Sequence, residues 1–156
     1  MTHRGGRGPQ RRPVRKRSTQ ASAQWRLVST AAVVALHREA LAEHGGLDGL
    51  RDAGLLDSAL ARCMHRAMYD SEASVHHLAA ALAFGLARNH PFHDGNKRIA
   101  RIALIASFLF IELNGWKMTA TESAAYGAIF GVAEGSIAEP ALAQWFAEHS
   151  SRARAR

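Results

Sequence analysis

The chain has 156 residues, 47% of them apolar, and a net charge of +7, which suggests one domain with a substantial core. Residues 1–20 hold seven Arg and Lys and no acid, and three more Arg occur in the last six residues, so residues 21–150 have a net charge of −3. This distribution argues against nucleic-acid binding by the domain itself. The single cysteine, Cys63, excludes an internal disulfide and a Cys-rich metal site.

The two ends of the chain are predicted to be basic tails around one domain. Residues 1–24 are rich in Gly, Pro and Arg, have little to bury, and are predicted to be disordered. Residues 25–149 form the predicted domain, and residues 150–156 form the second tail. No apolar stretch follows the first cations, as a signal peptide requires, and none reaches the roughly 20 residues of a membrane-spanning helix. We therefore expect a cytoplasmic protein with no membrane partner.

Apolar periodicity predicts six helices. They cover residues 25–43, 55–68, 75–89, 96–113, 121–134 and 139–149. No segment shows sustained alternation of apolar and polar residues, so no sheet is expected. The helix over 96–113 is apolar nearly all round, which predicts a buried central helix in an all-α domain. Four glycines in residues 45–54 predict a flexible, flap-like loop.

One segment, HPFHDGNKRIAR over residues 90–101, gathers the residues that carry chemistry. A tight turn over residues 94–96 leads into the N-terminus of the predicted central helix, where free backbone N–H groups and the helix dipole attract anions. Cations at this end of a helix cost a few tenths to ~1 kcal/mol each when they are exposed. The first two turns nevertheless carry Lys97, Arg98 and Arg101. A bound phosphate would account for this arrangement.

The other side chains of the segment suit phosphoryl or nucleotidyl transfer. Asp94 is a hard oxygen ligand for Mg²⁺. Asn96 can donate to a phosphate oxygen, and Gly95 lets the backbone approach the ligand closely. The imidazole of His90, with an ordinary pKa of ~6.5, can take a proton from an attacking hydroxyl. Phe92 is predicted to be a structural anchor without a chemical role.

Simpler interpretations exist for the single residues. Asp94 can act only as a helix cap, and Lys97 only as a solvated side chain. The His93-Asp94 dipeptide also occurs in HD-type metal phosphohydrolases, which would need further ligands such as His65 or His76, at no fixed spacing. None of these interpretations explains why an acid, a glycine, an amide and three cations meet at one helix start.

The segment resembles the signature of the Fic/Doc family, His-x-Phe-x-Asp/Glu-Gly-Asn-Gly/Lys-Arg, which has a second Arg three residues on in the Fic branch. The matching residues are His90, Phe92, Asp94, Gly95, Asn96, Lys97, Arg98 and Arg101. A weaker, Doc-like resemblance extends over about residues 30–148 and includes the connector at 44–62. The resemblance implies a six-helix domain and a transferase that uses ATP and Mg²⁺.

The same resemblance implies roles for these residues. His90 would deprotonate a hydroxyl of a protein target, and Asp94 would hold Mg²⁺. The nucleotide phosphates would be bound by Gly95, Asn96, Lys97, Arg98 and Arg101. Doc-like toxins have Lys at the position of Lys97 and transfer the γ-phosphate, whereas most Fic proteins have Gly there and transfer AMP. Lys97 favours a kinase, and Arg101, which is Fic-like, keeps AMP transfer as the alternative. A third hypothesis is a non-catalytic family member, or a DNA-associated module acting through the basic tail.

The resemblance also implies partners. The expected target is a translation factor of the elongation factor Tu class, and the expected inhibitor is a Phd-like antitoxin. DNA would be reached only through the antitoxin, or weakly through the N-terminal tail. Many Fic proteins carry an inhibitory helix with Ser or Thr four residues before a Glu, but none of the eight Glu here has that neighbour. At the nearest candidate, Glu134, the place is taken by Phe130, so inhibition is predicted to come from a separate protein.

Overall fold

A computed structural model describes residues 25–45, 49–89, 91 and 96–154. These residues form six helices and two short strands, which confirms the predicted all-α fold. The helices are α1 (Thr30–His44), α2 (Ala53–Tyr69), α3 (Val75–Asn89), α4 (Asn96–Leu113), α5 (Glu122–Glu134) and α6 (Glu139–Glu148). The strands are β1 (Trp116–Met118) and β2 (Ser150–Arg152).

Side-chain caps set three of the helix starts. Ser29 Oγ accepts a hydrogen bond from Ala32 N at 3.1 Å, so α1 begins five residues after the predicted start at residue 25. Asp52 Oδ1 accepts one from Leu55 N at 3.1 Å, so α2 begins at Ala53, inside the segment predicted to be a loop. Thr121 Oγ1 accepts one from Ala124 N at 3.2 Å and caps α5.

The buried helix at the centre is α3, not the helix over 96–113 as predicted. Eleven of the 15 residues of α3 are buried, and it packs against α2, α4, α5 and α6. On α4, by contrast, Arg101 is exposed and Ile105 is 40% exposed. The Ala-rich surface of α3 lets neighbouring helices approach on several sides, whereas the apolar pattern of α4 reflects bulky side chains that only partly face the core.

A two-stranded ribbon corrects the expectation that the chain has no sheet. Strands β1 and β2 pair antiparallel, with Trp116 opposite Arg152. The Arg152 guanidinium also lies 5.2 Å from the centre of the Trp116 ring, and His76 Nε2 is 2.7 Å from Ser150 Oγ. Three-residue strands are too short for alternation to be visible in the sequence, and β2 lies in the stretch predicted to be the C-terminal tail, residues 150–156. No helix in the described part of the chain is long and apolar enough to cross a membrane.

Candidate active site

The segment over residues 90–101 connects the C-terminal end of α3 to the N-terminus of α4. Helix α3 ends at Asn89 and α4 begins at Asn96, which confirms the boundaries predicted for these two helices. Pro91 disfavours helical geometry at the residue before it, which accounts for the end of α3. His90, Phe92, Asp94 and Gly95 lie outside the described residues. The roles assigned to these four side chains therefore stay predictions.

The buried residue Pro91 is anchored by the backbone in front of α2. Its carbonyl oxygen accepts hydrogen bonds from Arg51 N at 2.8 Å and from Asp52 N at 3.2 Å. Because Asp52 also caps α2, these bonds fix the chain just after His90 relative to the start of that helix. Residues 51 and 52 are thus docked against the site, which corrects the prediction that the whole of residues 45–54 is a flexible loop.

Asn89 anchors the chain on the other side of His90. Its Nδ2 donates to the Leu55 carbonyl oxygen at 3.1 Å, and its own carbonyl oxygen accepts from Arg51 Nη2 at 3.1 Å. The residues before and after His90 are therefore both tied to the first turn of α2 and the residues leading into it. Sequence reasoning missed this role of Arg51 and Asn89, because these long-range contacts have no local pattern; only the capping position of Asp52 gave a signal.

The N-terminus of α4 combines free backbone N–H groups with cationic side chains. Asn96 and Lys97 are the first two residues of the helix, and its first turn contains no acidic residue. Arg98 is partly buried, with its Nη1 atom inaccessible to solvent, whereas Arg101, three residues on, is exposed. A helix N-terminus beside two guanidinium groups is suited to binding phosphate oxygens.

The two histidines considered as ligands of a phosphohydrolase lie in unrelated environments. His76 is buried, its ring packs edge-on against Trp116 at 4.6 Å, and burial, with the neighbouring His77, lowers its pKa. His65 is exposed on α2 and lies against the Tyr69 ring at 6.3 Å. Across the described ranges, no group of three or more His, Cys, Asp and Glu side chains is arranged to hold a metal ion. Neither histidine supports the phosphohydrolase hypothesis.

Comparison with known families agrees with the motif. The sequence profile of the Fic/DOC family matches residues 27–108, just over half of the chain. The chain belongs to the Fic/DOC family. The matched stretch runs from just before α1 into α4, so it contains both the docked residues 51–52 and the segment over 90–101.

This Fic/DOC chain is similar to two proteins that are named Doc. It is 32% identical over 90 residues to the protein kinase doc of Escherichia phage P1, an alignment that covers 58% of this chain and 69% of the relative. It is 42% identical over 78 residues to the toxin Doc of Mycolicibacterium smegmatis, covering 49% of this chain and 57% of that relative. The Doc-like resemblance of the sequence is thereby confirmed.

Proposed function

We propose that this Fic/DOC chain is a toxin that transfers the γ-phosphate of ATP to a hydroxyl of a protein. The proposal is carried by Lys97 at the start of α4, where Doc-like sequences have lysine, together with a relative that is named a protein kinase. The relative named a toxin supports the biological role. The expected target remains a translation factor of the elongation factor Tu class.

The residues of the segment fit ATP and Mg²⁺. The backbone N–H groups at the start of α4 and the guanidinium groups of Arg98 and Arg101 would bind phosphate oxygens. In nucleotide sites Mg²⁺ is commonly held by one or two carboxylates together with the phosphates, and Asp94 would supply the carboxylate. When bound, the ion supplies neutralising charge to the phosphates. His90 would accept the proton of the target hydroxyl as that oxygen forms its bond to the γ-phosphorus, while the bond from this phosphorus to the bridging oxygen breaks and ADP leaves.

Docked backbone on both sides of His90 supports its assignment as the base. A catalytic group is most effective when its position is fixed before the substrate binds. The hydrogen bonds at Asn89 and Pro91 restrain the two neighbours of His90 against the start of α2. These restraints reduce the backbone freedom that would otherwise have to be lost when the target hydroxyl reaches the imidazole.

AMP transfer is the second candidate, and the observation in its favour is Arg101. This side chain is exposed on the second turn of α4, three residues after Arg98, as the Fic signature requires. Both candidates use the same fold and the same base. They differ in which phosphate of the nucleotide meets the target hydroxyl.

A separate Phd-like antitoxin is proposed as the inhibitor. Glu134 is the last residue of α5 and is exposed, and the position four residues earlier holds Phe130, whose ring stacks on Tyr126 with centroids 6.0 Å apart. An aromatic side chain in this stack cannot replace the Ser or Thr hydroxyl of the inhibitory motif. The isolated chain should accordingly be active.

Growth of bacteria that express the chain from an inducible promoter tests the function. The wild type should arrest growth, and co-expression of the neighbouring gene product should restore growth and allow the two proteins to co-purify. His90→Ala should abolish the arrest while the variant keeps the circular dichroism of the wild type, because loss of a general base typically costs ~10²–10⁴ in rate. Full toxicity of folded His90→Ala would contradict the mechanism. A chain that stays inert until Glu134 is substituted would show that the inhibition is internal.

A further inference from the structure

A small basic pocket lies between α2 and α3, outside the segment assigned to the nucleotide. It has a volume of about 310 Å³ and is lined by Arg62, His65, Phe84, Arg88 and Asn89 among others. Asn89 is the residue immediately before His90 in the chain. The pocket therefore opens beside the C-terminal end of α3, next in sequence to the base of the proposed reaction.

Two guanidinium groups stack on one aromatic ring in this pocket. The Arg62 guanidinium lies 4.8 Å from the centre of the Phe84 ring, and that of Arg88 lies 5.9 Å from it. Glu139, the first residue of α6, forms ion pairs with Arg62 and with Arg66, the latter at 3.1 Å, and its side chain is only 11% exposed. Stacking and pairing hold Arg62 in a fixed geometry, which lowers the entropy lost when it binds a ligand.

Arg88 supplies the uncompensated charge of the pocket. Arg62 and Arg66 are balanced by Glu139 and, through Arg66, by Asp70 at 3.6 Å. For Arg88, no carboxylate among the residues that the structure describes forms an ion pair with it. Its Nη1 atom lies 3.0 Å from where a Cβ would stand at position 135, so Gly135 leaves room for the guanidinium at the end of α5. This arrangement presents an exposed cation to an incoming anion.

We propose that this pocket binds a carboxylate side chain of the polypeptide that the enzyme modifies. The inference rests on the proposed function, in which the acceptor is a protein. The volume of the pocket is at the lower end of the roughly 300–1,000 Å³ typical of ligand pockets. A pocket of this size suits one side chain better than a nucleotide. The lining residues that the structure describes all lie on α2 and α3, whereas the phosphates of ATP are assigned to the N-terminus of α4. A Glu or Asp held by Arg88 would place the neighbouring chain of the target beside the active-site segment.

Binding is tested by NMR on the full-length protein with a glycine pentapeptide that has one central glutamate. The backbone amide signals of Gly85 and Asn89 report on the pocket. The glutamate peptide should shift both signals, whereas the same peptide with central glutamine should not. Arg88→Glu should abolish the shifts. Arg38→Glu, which makes the same charge change at an exposed position of α1, should leave them unchanged.

Two further ligands, inorganic phosphate and ATP, distinguish a carboxylate of the target from other anions. Equal shifts with the glutamine peptide, or shifts that persist in Arg88→Glu, would overturn the proposal. Shifts caused by inorganic phosphate and not by the glutamate peptide would reassign the pocket to phosphate. Displacement of the glutamate peptide by ATP would make the pocket part of the nucleotide site and would also overturn the proposal.

Transfer kinetics separate this proposal from the proposed function. With label from the γ-phosphate of ATP, Arg88→Glu should raise the KM for the protein target about three- to tenfold and leave kcat unchanged, as expected for an exposed ion pair. A three- to tenfold fall in kcat with an unchanged KM would contradict a docking role. If wild-type protein transfers no label while the glutamate peptide still shifts Gly85 and Asn89, the proposed function fails and carboxylate binding stands.

Discussion

Replacing Gly127 with alanine should stabilise the protein, whereas the same change at Gly85 should leave the protein less stable than Gly127→Ala. Both glycines lie inside helices, α3 and α5, where alanine is favoured over glycine by about 1 kcal/mol. A Cβ at Gly127 would have no heavy atom within 4 Å. A Cβ at Gly85 would stand 2.8 Å from the Ala59 carbonyl oxygen and 3.0 Å from its Cα.

The expected size follows from what the new methyl group at Gly85 meets. The atoms of Ala59 belong to the backbone of α2, so a rotamer change cannot relieve the contact and the helix itself must move. Inserting a methyl group into a packed core typically costs about 1–3 kcal/mol. The helix-propensity gain is common to both variants, so the free energy of unfolding should differ between them by this packing cost alone, about 1–3 kcal/mol.

Urea unfolding followed by circular dichroism measures the difference. Gly127→Ala should have a midpoint above the wild type, and Gly85→Ala a midpoint below that of Gly127→Ala, with equal m-values. If Gly85→Ala proves as stable as Gly127→Ala, the close approach of α2 and α3 is wrong. The placement of Leu55 against Asn89 would then be in doubt as well, since it depends on the same packing.

Three other variants test the site and the core. Arg51→Ala removes the bond to the Asn89 carbonyl and should lower turnover severalfold while costing less than about 1.5 kcal/mol of stability, which is checked by kinetics and urea unfolding. Burial raises the pKa of the Cys63 thiol to about 12, so it should react with a thiol reagent only after unfolding. The thiol ionises at a lower pH in the unfolded chain than in the folded protein. The stability of the wild type, measured relative to Cys63→Ala, should therefore fall as the pH rises from about 9 towards 12. The pKa of His76 is lowered in the folded protein, so the imidazole takes up a proton at a higher pH in the unfolded chain than in the folded one. The free energy of unfolding should therefore fall below about pH 6.5, and it should fall less in His76→Gln.

The helices could be predicted because their signals are local. Three such signals act within a few residues: the capping residue Thr121, the helix-ending pair Asn114-Gly115 and the restriction imposed by Pro91. The identity of the central helix could not be predicted, because it depends on how many neighbours pack around each helix. Alanine contributes little to an apolar pattern, yet it allows the close packing that buries α3 on most sides.

The family of the chain could be predicted from one segment, because the residues of that segment are consecutive in the chain. The chemistry assigned to these residues stays a prediction. The supports of that segment come from elsewhere. Arg51 reaches Asn89 across 38 positions, and Glu139 reaches Arg62 across 77. No pattern along the sequence encodes such pairs, so the anchoring of Asn89 and Pro91 and the basic pocket beside Asn89 became visible only in the fold.

Transfer of labelled phosphate tests the central claim most directly. The purified chain is incubated with Mg²⁺ and a bacterial extract, once with ATP labelled at the γ-phosphate and once with ATP labelled at the α-phosphate. A His90→Ala sample serves as the control for kinases of the extract. We predict that one protein band gains label from the γ-phosphate and none from the α-phosphate. Label from the α-phosphate alone would contradict the kinase assignment based on Lys97 and would establish AMP transfer.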